Sequence, residues 1–202
     1  MFSEAQICMS IPYDHLRTNY LYMKQVVVGD LTFDLFISAD QIRERIAEMG
    51  KTINEKYEEK SPVFIGVLNG CFMFMADLMK EINIPCELSF VKLSSYQGTA
   101  YGQINELLGV GIDLTDRDVI IVEDVIDSGN SLKYTIDALK KLKVKSVAVC
   151  ALLLKPSCLL HSFDNILGVG FEIEKEFVVG YGLDYNGFGR NLADIYQCIE
   201  EK

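Results

Sequence analysis

At 202 residues, half of them apolar, the chain can bury one continuous core and fits a single large domain. Its 29 acidic side chains against 19 basic ones give a formal charge of −10, which argues against a broad nucleic-acid-binding surface. A small anionic substrate stays within reach, because metal ions, backbone amides and a few placed cations can hold one.

Ser38 with Gln41 three residues later is a capping-box signature, and Ile42, Ile46, Met49 and Ile53 then recur at helical spacing, so a helix is predicted from Ser38 through the EKYEEK stretch. PVFIGVL is a short β-rich run that ends at Asn69-Gly70, and the helix-like CFMFMADLMKEI follows it. CELSFVKLSSY alternates like a strand, and the stretch from Gln97 to Val110 has little periodicity. DVIIVEDVIDSG reads as a strand running into an acidic turn, NSLKYTIDALKKL as a helix and KSVAVCALLLK as a strand buried on both faces. No repeats or Pro/Ser-rich linkers interrupt this order, so one α/β domain with a mainly parallel sheet flanked by helices is expected. In such sheets ligands bind beyond the carboxyl ends of the strands, where Leu68-Asn69-Gly70, the acidic turn and Lys155 all fall.

The six cysteines (Cys8, Cys71, Cys86, Cys150, Cys158 and Cys198) contain no CxxC pair and read as free thiols in a reducing compartment. The chain does not open on a basic segment followed by an apolar stretch, and no apolar run approaches the roughly 20 residues that cross a bilayer. A cytoplasmic protein without a membrane partner is expected.

The acidic turn carries the sharpest signal. Val119 to Val122 bring the chain through a core, after which Glu123 and Asp124 emerge side by side, Asp127 follows, and Ser128-Gly129-Asn130-Ser131 leads into a helix. Two readings stand. In the plain one, Asp127 or Ser128 caps the helix and the acids are solvated. In the chemical one, the amides and hydroxyls of Ser128 to Ser131 face a phosphate at the positive end of the helix, and Gly129 lets the backbone come close. The carboxylates repel phosphate, so they would hold sugar hydroxyls or a hydrated Mg²⁺.

Apolar strand, two acids, two apolar residues, Asp, small hydroxyl residue, Gly and a second hydroxyl residue: this order resembles the phosphoribosyl-pyrophosphate signature of type I phosphoribosyltransferases. The resemblance runs in order over approximately residues 60–195 and is closest in kind to the hypoxanthine-guanine branch. It implies a core of approximately residues 38–180 with a small hood from the terminal segments, and a homodimer or homotetramer. It also implies Mg²⁺-dependent transfer of a phosphoribosyl group to a 6-oxopurine, giving IMP or GMP and pyrophosphate.

Residue by residue, the resemblance assigns Leu68, Asn69 and Gly70 to pyrophosphate, with Asn69 where the family often has Lys and with a cis Leu68-Asn69 peptide. Ser95 and Tyr96 fall on the family's mobile catalytic loop, which covers the reacting centre and excludes water. Glu123 and Asp124 would hold ribose hydroxyls or metal waters, Asp127 would take the proton of the base, and Ser128, Gly129, Asn130 and Ser131 would hold the 5′-phosphate. Lys155 would read the 6-oxo group, Phe177 would stack on the base, and Val125, Val178 and Asp184 would line its pocket. Asp184 would also serve a second metal, and Arg190 would reach pyrophosphate with its planar guanidinium. Each segment has an ordinary alternative: an Asn-Gly turn, a polar surface loop, a solvated lysine, a glycine-rich hairpin in which Gly187 and Gly189 replace bulkier residues. His15 and His161 fall outside these segments and read as structural or surface residues.

Three rival readings are a regulatory protein that senses phosphoribosyl pyrophosphate, another α/β enzyme with an acidic Mg²⁺ cluster, and a sister phosphoribosyltransferase for pyrimidine or xanthine. The first needs a basic surface, and the second gives no reason for DSGNS directly after two acids.

Overall fold

The computed structural model describes residues 24–92, 94–95, 104–105 and 111–199. Five strands form a parallel sheet: β3 (Val63–Leu68), β4 (Glu87–Lys92), β7 (Asp118–Ile126), β8 (Ser146–Leu154) and β9 (Ile166–Glu172), in the spatial order β4-β3-β7-β8-β9. Helices α1 (Ala39–Lys56), α2 (Phe72–Glu81) and α3 (Asn130–Lys141) cover its faces.

Strand periodicity sorts the apolar run of each central strand to two sides. Phe64, Ile120, Val122, Cys150 and Leu152 pack with Ile42, Ile46, Met49 and Ile53 of α1 and Phe74, Met75 and Leu78 of α2. The alternate residues Val63, Ile65, Val67, Val119, Ile121, Val149 and Ala151 pack with Leu132, Ile136 and Leu139 of α3. Burial on both faces is why these strands read as continuous apolar runs. The predicted capping box is present: Ser38 Oγ accepts the Gln41 N–H, and the Gln41 side chain accepts from the Ser38 N–H at 3.0 Å.

A second, antiparallel sheet joins the two ends of the described chain. Its strands β1 (Gln25–Val28), β2 (Leu31–Ile37), β11 (Ile195–Cys198) and β10 (Val178–Val179) stand in the order β1-β2-β11-β10 over a small core of Val26, Val28, Leu31, Phe33, Val179 and Tyr196. This is the expected hood. It is tied to the main sheet at the start of α1, where the Ala39 N–H donates to Asp194 Oδ1 at 2.7 Å, a carboxylate at the positive end of a helix. Among the described residues no helix is long and apolar enough to cross a membrane.

One expectation is corrected. Glu123 and Asp124 do not emerge from the sheet after Val122, because β7 runs on to Ile126. Its ladder with β8 continues through Glu123 opposite Ala151, Val125 opposite Leu153 and Ile126 opposite Leu154. The acids are strand residues, and Glu123 is only 4% exposed.

From β3 the chain passes to β4 on one side of the sheet and later returns to lay β7 on the other side of β3. Adjacent connections therefore leave in opposite directions at the carboxyl ends of β3 and β7. That divergence opens a crevice, the favoured ligand position in open α/β sheets.

Candidate active site

A cleft of about 410 Å³ lies at this crevice, lined by Val67, Leu68, Asn69, Gly70, Glu123, Asp124, Val125, Ser131, Asp184 and Arg190. One wall is the end of β7 with the turn into α3; the other is the turn after β3 together with the loop after β10.

The β7–α3 turn departs from the side-chain cap of the plain reading. The N-cap is Gly129, in the left-handed region at φ 80°, and no side chain caps α3. Neither Asp127 nor Ser128 is the cap of a plain helix. Ser128 Oγ instead sits 3.4 Å from the Asn130 N–H within the loop. Asp127, more than half exposed, pairs with Lys155, whose Nζ donates to Asp127 Oδ2 at 2.9 Å and whose side chain is 12% exposed. Lys155 is held there because its N–H donates to the Ile126 carbonyl at 2.9 Å, joining the ends of β7 and β8.

Burial favours the protonated forms of Glu123 and Asp124. Burial, and then the charge of Asp124, push the Glu123 carboxyl well above the usual range, and its Oε2 has no hydrogen-bond partner. Burial raises Asp124 to about 6, against hydrogen bonds from the Val125 N–H (2.9 Å) and its own amide and the nearby Arg190 charge. The Cys71 thiol next to them is pushed up to about 12, by burial first and by the two carboxylates second.

The opposite wall is built from distant pieces. The Leu68-Asn69 peptide is cis, and the chain then passes Gly70 so close to Asp124 that a Cβ on Gly70 would overlap its carboxylate. Gly182, at φ 100°, packs on the Gly70 carbonyl, again with no room for a Cβ. Its neighbour Tyr181, at φ 48° and nearly fully buried, donates its hydroxyl to Asp77 Oδ2 of α2 at 2.6 Å. Within the loop, Arg190 Nη2 pairs with Asp184 Oδ1 at 2.5 Å and Nη1 donates to the Gly182 carbonyl at 2.7 Å, while Asp184 accepts the Gly187 N–H at 2.7 Å. Phe177 is 44% exposed, flanked by Phe33 at 5.9 Å and edge-on to Tyr185 at 5.7 Å between ring centres; Val178 is buried in β10.

The phosphoribosyl transferase domain model matches residues 38–186, most of the chain and every residue lining the cleft except Arg190. The chain belongs to the phosphoribosyltransferase family. The chain is 40% identical over 172 residues to the hypoxanthine phosphoribosyltransferase of Escherichia coli, covering 83% of the chain and 96% of that protein. It is 41% identical over 163 residues to the bifunctional protein TilS/HprT of Listeria innocua, covering 80% of the chain and a quarter (25%) of that longer protein. Among solved structures it resembles a hypoxanthine-guanine phosphoribosyltransferase of Bacillus anthracis, with TM-score 0.76 and 36% identity over 83% of this chain and 97% of that one. The hypoxanthine phosphoribosyltransferase of Trypanosoma cruzi gives TM-score 0.78 and 31% identity over 86% and 94% of the two chains.

The structure brings together at one cleft the residues 68–70, 123–125, 131, 184 and 190 singled out in the sequence, with Asp127 and Lys155 paired beyond the end of β7. Ser95 falls in a two-residue strand, β5 (Ser94–Ser95), paired with β6 (Ile104–Asn105); Tyr96 lies outside the described residues. The sequence reading missed the Tyr181–Asp77 tie, whose partners stand 104 residues apart. It also left His161 aside, which lies 2.8 Å from Asn130.

Among the described residues no three His, Cys, Asp or Glu side chains are grouped to hold a metal ion by themselves. Glu123, Asp124 and Asp184 nevertheless fit a divalent ion that keeps most of its waters. All three are hard oxygen donors on the cleft, and Glu123 carries a buried oxygen in want of a partner.

Proposed function

We propose that this chain transfers the 5-phosphoribosyl group of phosphoribosyl pyrophosphate to hypoxanthine or guanine in purine salvage, releasing pyrophosphate and forming IMP or GMP. The observation that carries the reading is the Lys155–Asp127 pair, which sets a donor and an acceptor 2.9 Å apart just beyond the end of β7. A 6-oxopurine carries the complementary pair on one edge, an accepting 6-oxo oxygen beside a donating N7–H. Adenine offers Lys155 an amino donor instead, so it is refused.

A base entering there parts the ion pair. Lys155 turns to the oxo group, and Asp127 takes the N7 proton as N9 attacks C1′. The new bond is N9–C1′; the bond broken is that from C1′ to pyrophosphate, which leaves with its electrons. Phe177 stacks on the ring, while Val178 by its backbone and Val125 from β7 contact the base. The amides and hydroxyls of Ser128 to Ser131 hold the 5′-phosphate at the positive end of α3. Leu68, Asn69, Gly70 and Arg190 meet the pyrophosphate, and Ser95 and Tyr96 belong to the loop that covers the centre against water. Glu123 and Asp124 would hold the ribose hydroxyls and the waters of a first Mg²⁺, and Asp184 would hold a second. Bound Mg²⁺ would neutralise charge gathering on the leaving pyrophosphate. The family likeness supports a cytoplasmic homodimer or homotetramer in which each chain is one domain with its hood.

The test supplies phosphoribosyl pyrophosphate and Mg²⁺ with hypoxanthine, guanine, xanthine, adenine and uracil in parallel. Turnover is expected with the first two and none with adenine or uracil. Asp127→Asn should lower kcat about 10²- to 10⁴-fold with phosphoribosyl pyrophosphate still bound. An Asn variant as fast as the wild type on hypoxanthine would remove Asp127 from its role.

A further inference from the structure

The stretch Leu160–Phe163 has no part in the chemistry above, yet it runs behind the proposed phosphate turn and holds it at three successive residues, Ser128, Gly129 and Asn130. The Leu160 N–H donates to the Ser128 carbonyl at 3.0 Å. The Phe163 ring fills the space where Gly129 would carry a Cβ. His161 Nε2 lies 2.8 Å from Asn130 Oδ1, and its ring meets Phe163 edge-on at 6.3 Å between centres.

The second of these contacts accounts for glycine at position 129 beyond its φ of 80°. The third bears on binding. Asn130 is the first residue of α3, at the end where unsatisfied N–H groups face an anion. Its side chain offers a carbonyl oxygen that repels phosphate and an amide that welcomes it, and a free side chain presents either. An imidazole N–H on Oδ1 removes the ambiguity: the oxygen is engaged, and only the Nδ2 donors remain.

We propose that His161 is a positioning residue for the 5′-phosphate, acting through Asn130. The role needs only an N–H at the place of Nε2. It rests on the phosphate role proposed for Ser128 to Ser131, and it concerns one end of the substrate, not the pyrophosphate end at Asn69, Gly70 and Arg190.

His161→Phe keeps a ring against Phe163 and removes the N–H, whereas His161→Gln restores a donor. The Phe variant should raise KM for phosphoribosyl pyrophosphate and Kd for IMP about threefold to tenfold, the worth of one hydrogen bond. Its kcat at saturation and its affinity for pyrophosphate should stay within about twofold of the wild type. The Gln variant should bind like the wild type, and combining H161F with N130A should be no worse than N130A alone. An unchanged KM and Kd in H161F overturns the proposal. So does equal weakening of IMP, pyrophosphate and hypoxanthine, which marks a general structural role, or a Gln variant as weak as Phe. If the wild type itself binds neither phosphoribosyl pyrophosphate nor IMP, the phosphate role of Ser128 to Ser131 falls, and the role of His161 with it.

Discussion

The wall from Glu123 to Ser131 is one unbroken stretch of chain, the end of a strand and the turn into a helix. The wall facing it is assembled from Leu68–Gly70, the loop from Gly180 to Arg190 and the helix residue Asp77, held by Tyr181 and by two glycines packed backbone to backbone. In the first wall neighbouring residues fix one another, with β8 beside the end of the strand and Leu160–Phe163 behind the turn. In the second, each piece has its place only because another element presses on it. A contiguous wall should tolerate substitutions outside these two backing segments; an assembled wall should fail at its joints.

The largest break is expected at the point where the walls touch. Gly70→Ala puts a Cβ into the Asp124 carboxylate, so either the cis turn or Asp124 must move. Overpacking of this kind costs about 3 kcal/mol, and a 1 Å displacement of reacting groups costs about 10²-fold in rate. Urea unfolding and steady-state turnover check the two parts. A variant with wild-type kcat would mean the walls do not press on each other there.

Asp124 gives the next test, with the sign set by its raised carboxyl. In the native state it keeps its proton up to about pH 6, while in the unfolded chain it loses it near 4. Its contribution is therefore complete below about pH 4 and is lost as pH rises through 6, and Glu123 acts in the same direction. In the presence of a chelator, stability should fall between about pH 4 and pH 7 by on the order of 1–3 kcal/mol from this group. Asp124→Asn should remove that part of the loss. A variant whose stability still falls as steeply over that range would place the pH effect elsewhere.

Tyr181→Phe should have the smallest effect, about 1 kcal/mol for the lost hydrogen bond to Asp77. It would sharpen the comparison by its selectivity: KM for phosphoribosyl pyrophosphate should rise more than KM for hypoxanthine, since the joint carries Asp184 and Arg190. Equal changes in both would make the joint a matter of folding alone.

Much of the first wall was legible because its chemistry is contiguous. Two acids, a third acid three residues on, and a Ser-Gly-Asn-Ser run follow one another within nine residues, and Gly129 is the residue that the left-handed cap demands. The strand's true end at Ile126 was not legible, since a ladder is prolonged by its partner, and buried carboxylates read like a turn in isolation. His161 looked like a surface residue because nothing in its neighbours points to Asn130, 31 positions away. Tyr181 gave no signal either, for an aromatic residue beside glycines does not announce a left-handed φ.

The sequence by itself determined the α/β order, the capping box at Ser38 and the strand-turn-helix passage through Ser128 and Gly129, because each depends on residues within a few positions of one another. Only the tertiary structure decided that Glu123 is buried without a partner, that Lys155 pairs with Asp127, and that Gly70, Gly182, Tyr181 and Asp77 close the far wall. Burial and pairing are properties of what packs against a side chain, and here those partners arrive from elements far along the chain.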